Sequence, residues 1–277
     1  MIPRKRGSAL FARTARWWHV KTAGVEVGQG LATIVTQIAR TELGVERVIL
    51  DPADTAIGSA GSSSASRQTM MTGGAVQLAC LAVREELDRV GGPGNLEHPL
   101  EATRVYHHRE TKKLDENGQG DPHVTFAFAA ARAVVDVDTE LGLVRVVQLA
   151  VAQDVGKALN PQSVVGQIEG GSAQGLGLAL MEEIELKDSK VRNASFTDYL
   201  IPTILDMPTV VSELVEEPEP GVPFGAKGVG ELSTVVVPAA ILAALRQATG
   251  RELHRAPVKP DDLIGLQSSP GYRRPPP

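Results

Sequence analysis

The run Pro223-Phe224-Gly225-Ala226-Lys227-Gly228-Val229-Gly230-Glu231 carries the residues of this chain best suited to chemistry. Glycine lets a backbone turn, or approach a bound group, where a side chain would clash. The run delivers Glu231 to the point where a helix is expected to begin, at Leu232-Ser233-Thr234-Val235. Unpaired N–H groups and the helix macrodipole keep a carboxylate charged there. Burial against a dense glycine turn pushes its pKa the other way. A carboxylate held between those pulls suits general-base work. The same residues also read as a glycine-rich loop whose glutamate only caps the helix.

Three other segments have the composition of binding turns. Gly28-Gln29-Gly30 precedes a helix, where free N–H groups attract anionic oxygens, although Gly-Gln-Gly is equally a simple helix start. Ser62 to Thr69 gathers hydroxyls with Arg67 and Gln68 at another expected helix start, which suits a phosphate or a polar heterocycle, or is a flexible serine loop. In Gly166-Gln167-Ile168-Glu169-Gly170-Gly171-Ser172-Ala173-Gln174-Gly175, Gln167 and Gln174 lie two helical turns apart and project from one face. The glycines beside them admit a flat ligand or a neighbouring backbone. The histidines show no metal-ligand spacing and read as surface or packing residues, and neither a nucleophile elbow nor a P-loop is present.

The elements that must position these turns alternate between helices and antiparallel strands. Val25-Glu26-Val27 reads as a short strand, followed by a helix with Leu31, Ile34, Val35, Ile38 and Leu43 at helical spacing and Gly44 as its stop. Val45 to Asp51 reads as a strand, and Arg67 to Arg89 as a long helix with Gly73-Gly74 as a weak point. Val124 to Val137 and Leu143 to Val155 form an antiparallel pair across the turn Asp138-Thr139-Glu140-Leu141-Gly142. Gly166 to Glu183 is helical despite glycines that each cost about 1 kcal/mol relative to alanine, so packing or a ligand must offset them. Leu200 to Met207 and Thr209 to Val215 are extended, and Leu232 to Ala248 is a helix kinked or restarted at Pro238. The order indicates an α+β fold with mixed and antiparallel sheets and packed helices, not a doubly wound sheet.

Composition narrows the function classes. A chain of 277 residues with 42% apolar and 22% charged residues can bury a core in one or two domains. A net charge of −5 argues against general nucleic-acid binding. The single cysteine, Cys80, excludes an internal disulfide and a self-contained cysteine-ligated cluster, and its apolar surroundings mark it as a buried, inert thiol. No apolar stretch reads as long and charge-free enough to span a bilayer. Residues 1–21, with Arg4, Lys5, Arg6, Arg13 and Arg16 offset by no acid, read as an atypical basic, disordered segment outside the fold. Residues 22–265 then form the organised domain, with two α+β subdomains, and 266–277 a disordered proline-rich tail.

Five segments occur in a telling order: Gly24-Val25-Glu26-Val27-Gly28-Gln29-Gly30, Ser64-Ala65-Ser66-Arg67-Gln68-Thr69, Asp154-Val155-Gly156-Lys157-Ala158-Leu159-Asn160-Pro161, Gly166-Gln167-Ile168-Glu169-Gly170 and Gly225 to Glu231. Together they resemble the C-terminal half of the molybdenum-binding subunit of the xanthine dehydrogenase/aldehyde oxidase family. The wording around Gly118-Gln119-Gly120-Asp121-Pro122-His123 is most similar to bacterial xanthine dehydrogenases. The resemblance implies the fold of that subunit's second molybdenum-binding domain. It also implies a cytoplasmic molybdenum hydroxylase that oxidises a purine, xanthine or hypoxanthine, with oxygen from water. Molybdopterin, plain or as the cytosine dinucleotide, is the implied cofactor, with iron–sulfur clusters and FAD on partner subunits.

By the same resemblance Glu231 is the base toward the metal-bound hydroxide. Cofactor contacts fall on Gly28, Gln29, Gly30, Ala65, Ser66, Arg67, Gln68, Thr69, Gln167, Gly228 and Gly230. The backbone amide of Ala65 lies beside the metal, and no side chain ligates it. The family's first molybdenum domain has no counterpart here, so the expected partners include that N-terminal half. The same cofactor with an aldehyde, carbon monoxide or another N-heterocycle stays open at this point, as does an inactive cofactor- or subunit-binding remnant.

Overall fold

The protein, seen in a computed structural model, is described over residues 6–13 and 17–264 and divides into two compact units. The first takes Met1–Ala127, Asp154–Ser163 and Glu216–Gly228; the second takes Phe128–Gln153, Val164–Val215 and Val229–Pro277. Each combines helices with small sheets, the α+β class expected from the sequence.

The first unit contains strands β1 (Arg6–Arg13) and β2 (Trp18–Thr22), helix α1 (Leu31–Leu43), strand β3 (Val48–Leu50), helix α2 (Gln68–Val90) and strand β4 (Leu100–His107). Its four-stranded sheet has the order β3-β2-β1-β4, with β1 antiparallel to β2 and β4, and β2 parallel to β3. The apolar stripe of α1 packs Leu31, Val35 and Ile38 against Val76, Ala79, Cys80 and Val83 of α2, with Val20 of β2 in the same core. Gly73 and Gly74 do not weaken α2. A Cβ on Gly74 would stand 2.9 Å from Tyr106 and Pro223, so its absence lets those rings close onto the helix. Cys80 is fully buried, and burial followed by the charge of Glu42 pushes its thiol up to about 12.

The reading of residues 1–21 as outside the fold needs correction, because Arg6–Arg13 and Trp18–Thr22 are strands of that sheet. Along β2 the side chains alternate, burying Val20 and Thr22 and leaving His19 and Lys21 partly exposed. The acids that pair with its basic residues come from far along the chain: His19 with Asp51 at 3.1 Å and Lys21 with Asp54 at 2.7 Å. Local sequence cannot show such a partner. The expected tail, 266–277, lies outside the described residues.

The second unit contains strands β5 (Ala129–Asp138) and β6 (Leu143–Asp154), helix α3 (Pro161–Leu180), the ribbon β7 (Leu186–Lys187) and β8 (Lys190–Val191), strand β9 (Thr209–Val215), and helices α4 (Leu232–Thr249) and α5 (Pro260–Ile264). β5 and β6 pair antiparallel with an irregularity at Val134/Val135, and the three-stranded order is β5-β6-β9. The turn between them is tied by Asp138, whose Oδ1 accepts the N–H groups of Glu140 and Leu141, each at 2.9 Å. The core joins Val146, Leu149 and Val151 to Ile168 and Leu176 of α3 and to Val237, Ile241 and Leu245 of α4.

Four further expectations change. Val25-Glu26-Val27 is a loop, and Leu200 to Met207 is a turn in which the Asp206 carboxylate draws in the N–H and hydroxyl of Thr203 at 2.8 and 2.7 Å. Among the described residues α4 is, by length and composition alone, apolar enough to span a bilayer, contrary to the sequence reading. Its Val237, Ile241 and Leu245 are fully buried in the unit's own core. The helix also runs through Pro238 without a break.

Candidate functional site

In the first unit the turn before α2 holds two consecutive non-glycine residues in the left-handed region, Ala65 at φ 61° and Ser66 at φ 51°. Such backbone costs of order 1–3 kcal/mol per residue and persists only where its surroundings over-determine it. Here the surroundings are Gly228. A Cβ on Gly228 would lie 2.7 Å from the Ala65 carbonyl oxygen and 3.1 Å from the Ser66 Cβ, so only glycine lets the two segments touch. The structure therefore brings together two turns that are 162 positions apart in the sequence and that the sequence reading had singled out separately.

What holds Gly228 there was not legible beforehand. Lys227 Nζ meets Asp154 Oδ2 at 2.7 Å, with both side chains more than nine-tenths buried. Asp154 Oδ1 accepts the Gly156 N–H at 3.0 Å, Lys227 N–H donates to the Val155 carbonyl at 3.1 Å, and Lys157 N–H donates to the Gly225 carbonyl at 3.0 Å. Glu219 stands 3.8 Å from the same ammonium and accepts the Thr125 hydroxyl at 2.6 Å. A buried charge left unpaired is costly, so this ion pair fixes the loop firmly. The signal available in the sequence was the presence of Asp154 and Lys227 inside two of the quoted motifs.

Arg67 and Gln68 serve the same turn from within. Arg67 Nε donates to the Ser62 carbonyl at 2.7 Å, Gln68 Nε2 donates to it at 3.3 Å, and Thr72 donates to Gln68 Oε1 at 2.5 Å. These side chains hold the serine loop, and Ala65 stays exposed on it. Thr69 lies in the first turn of α2.

At Gly28-Gln29-Gly30 the helix-start N–H groups already have an anion. Glu26 accepts from Gly28 at 2.7 Å and Gly30 at 3.0 Å through Oε1, and from Ala32 at 2.7 Å through Oε2. Desolvation works against its charge, but these N–H groups prevail and hold its pKa below the usual carboxylate range. The Gln29 amide closes the loop on itself, accepting from Val27 N–H at 2.7 Å and donating to the Val25 carbonyl at 2.9 Å. Where a Cβ would stand on Gly28 or Gly30 there is nothing within 4 Å, so the backbone is open to an approaching group.

In the second unit α3 divides its glycines between two tasks. Gly171 and Gly175 face α4: a Cβ on Gly175 would lie 2.8 Å from the Val237 Cβ, and one on Gly171 3.1 Å from the Ser233 Cβ and 3.3 Å from the Gly230 carbonyl oxygen. Gly166 and Gly170 are exposed with nothing within 4 Å of a Cβ position. Gln167 is partly exposed beside them. Gln174, its partner in the sequence reading, is instead tied to α4 by the Thr234 hydroxyl at 3.0 Å. Gln167 thus stands one helical turn from the residue that meets Gly230.

Glu231 is the N-cap residue of α4, exposed, and makes no capping hydrogen bond. The expected burial against the glycine turn is absent. The carboxylate is left uncommitted to the helix it begins. A cavity of about 360 Å³ in this unit, lined by Val144, Leu176, Met181 and Met207, includes none of these residues. Among the described residues no three His, Cys, Asp or Glu side chains gather as metal ligands.

Over residues 17–97 and 94–208 the chain matches the model of the molybdopterin cofactor-binding domain. The chain belongs to that family. Its relatives include molybdopterin-binding subunits of the xanthine dehydrogenase/aldehyde oxidase family. It is 31% identical to a probable xanthine dehydrogenase subunit from Bacillus subtilis, across 90% of this chain and 37% of that protein. It is 30% identical to the gamma subunit of the 6-hydroxypseudooxynicotine dehydrogenase complex of Paenarthrobacter nicotinovorans, across 88% of this chain and 35% of the other. The crystal structure of the aldehyde oxidoreductase of Desulfovibrio desulfuricans superposes with a TM-score of 0.85 at 27% identity, covering 96% of this chain and 30% of that one. The chain spans little more than a third of the length of these two curated relatives.

The residues present fit such a group. In the first unit Ala65 is exposed and nothing lies within 4 Å of a Cβ position on Gly28 or Gly30; in the second the same openness holds at Gly166 and Gly170, and the Gln167 amide beside them is partly exposed, so each unit offers surface with no side chain in the way of a flat pterin.

Proposed function

We propose that the domain contributes to a cytoplasmic enzyme that hydroxylates a purine, xanthine or hypoxanthine, with Glu231 as the general base. In this reading Gly28, Gln29 and Gly30, the turn Ala65 to Thr69, Gln167, Gly228 and Gly230 hold molybdopterin, either plain or as its cytosine dinucleotide. When bound, that group supplies the two-electron oxidation of the substrate carbon, with water as the oxygen source. The backbone amide of Ala65 would hold the group beside its metal, and the Gln167 side-chain amide would hydrogen-bond its polar atoms. Glu231 accepts the proton at a carboxylate oxygen, a role its exposed and uncapped state permits. Iron–sulfur and FAD partners would take the electrons, and an N-terminal half of the molybdenum subunit would complete the substrate pocket.

The observation that carries this reading is the contact of Gly228 with the left-handed Ala65–Ser66 turn. It makes a tight, strained surface of two motifs and leads the chain, three residues later, to the acid. The likeness to a probable xanthine dehydrogenase subunit supports the purine. A second reading keeps the residue roles and exchanges the substrate for an aldehyde or another N-heterocycle, as the names of the other relatives suggest.

Glu231→Gln keeps the shape and removes the base. In the assembled enzyme it is expected to abolish xanthine turnover with molybdenum and pterin content unchanged, read by a dye-coupled assay and metal analysis. Wild-type turnover in that variant overturns the base assignment. A panel of xanthine, hypoxanthine, aldehydes and N-heterocycles on the wild-type complex decides between the two substrates.

A further inference from the structure

Gln153, the penultimate residue of β6, is fully buried. A buried primary amide must satisfy both a donor and an acceptor, and this one does so at two points of a single segment. Its Nε2 donates to the Val229 carbonyl at 2.9 Å, and its Oε1 accepts the Ser233 hydroxyl at 3.2 Å. Val229 and Ser233 stand two residues before and two residues after Glu231. The planar amide fixes the separation of its oxygen and nitrogen, so it sets the spacing of the two points that bracket the acid. Ser233 is also fully buried, so solvent has no access to replace Gln153 there.

A helix start is ordinarily fixed by its N-cap side chain, which bonds back to the first N–H groups. Glu231 makes no such bond. Gln153 fixes the start from outside the helix, holding the Val229 carbonyl and the Ser233 hydroxyl rather than those N–H groups. We infer that Gln153 is the positioning residue of Glu231: it secures the beginning of α4 so that the carboxylate need not, and is left to accept a proton. This rests on the reading of Glu231 as the base.

Gln153→Met keeps length and volume and removes both hydrogen bonds. In the assembled holoenzyme it is expected to lower kcat by about ten- to a hundred-fold, because small misplacements of a catalytic group cost that much. KM and molybdenum content stay as in wild type. In the full chain, exchange of the amides of residues 229–234, followed by mass spectrometry, speeds up while that of α3 does not. Ser233→Ala removes one of the two contacts and gives a smaller drop of the same kind, and it carries the test if Gln153→Met folds poorly. Unchanged kcat in both variants overturns the inference. So does a fall in kcat that merely follows a matching loss of molybdenum. The exchange measurement needs neither metal nor substrate: faster exchange at 229–234, alongside a Glu231→Gln enzyme that still turns over, removes the base from Glu231 and leaves the Gln153 clamp standing.

Discussion

At the scale of single residues, the chemistry depends on groups that do none of it. Glu231 is exposed and uncapped, while the buried pair Lys227–Asp154 and the buried amide of Gln153 fix the turn that leads to it. Lys227→Met strands the Asp154 carboxylate, and it is expected to destabilise the full chain by about 3–5 kcal/mol. Adding Asp154→Asn removes the stranded charge, keeps an acceptor for the Gly156 N–H, and recovers most of that loss. Urea midpoints of the single and double variants check this. An equal loss in both would mean that packing, not charge pairing, holds the loop. The acid itself was legible in the sequence because glycines and a helix start flank it. Its supports were not, since ion pairs and buried amides join residues more than 70 positions apart.

At the scale of elements, α3 shows why a glycine-rich helix is tolerated. Gly175 lets α4 close to a distance that a side chain forbids, and the packing of Leu176 with Val237 and Ile241 offsets the lost helix propensity. Gly170 has open space instead. Gly175→Val is therefore expected to cost about 1–3 kcal/mol by overpacking. Gly170→Ala should gain roughly 0.5–1 kcal/mol from helix propensity. Thermal unfolding of the two variants separates these signs, and destabilisation by Gly170→Ala would show that the open face is packed in solution. The sequence makes the helix and its glycines legible. It left open whether packing or a ligand offset them, because periodicity cannot tell which face of a helix meets a neighbour. The structure assigns Gly171 and Gly175 to packing and leaves Gly166 and Gly170 open.

At the scale of the molecule, the domain carries apolar surface with no cover of its own. In the second unit Phe196, Ile204 and Leu205 are 79%, 89% and 93% exposed, and Leu200 and Ile201 lie in the same stretch. Contiguous exposed apolar residues mark association surfaces. The double variant Ile204→Lys/Leu205→Lys is expected to reduce self-association and hydrophobic-dye binding of the isolated chain, with stability changed by no more than about 0.5 kcal/mol, as for other exposed positions. Sedimentation velocity and dye fluorescence check this, and undiminished association would place the sticky surface elsewhere.

The sequence alone determined the family, the α+β class, and the motifs that bear Glu231, Gln167 and the Ala65 turn, because each is a local pattern of residue types along a few turns of chain. It misplaced residues 1–21, where the acids that pair with β2 arrive only through folding. Tertiary structure alone decided that Gly228 rests on two left-handed residues, that Asp154 and Gln153 pin the glycine turn and the start of α4, and that Glu26 already fills the helix start at Gly30. The physical reason is the same in each case: close contact, ion pairing and amide bridging depend on distances through space, and the order of residues along the chain does not specify those distances.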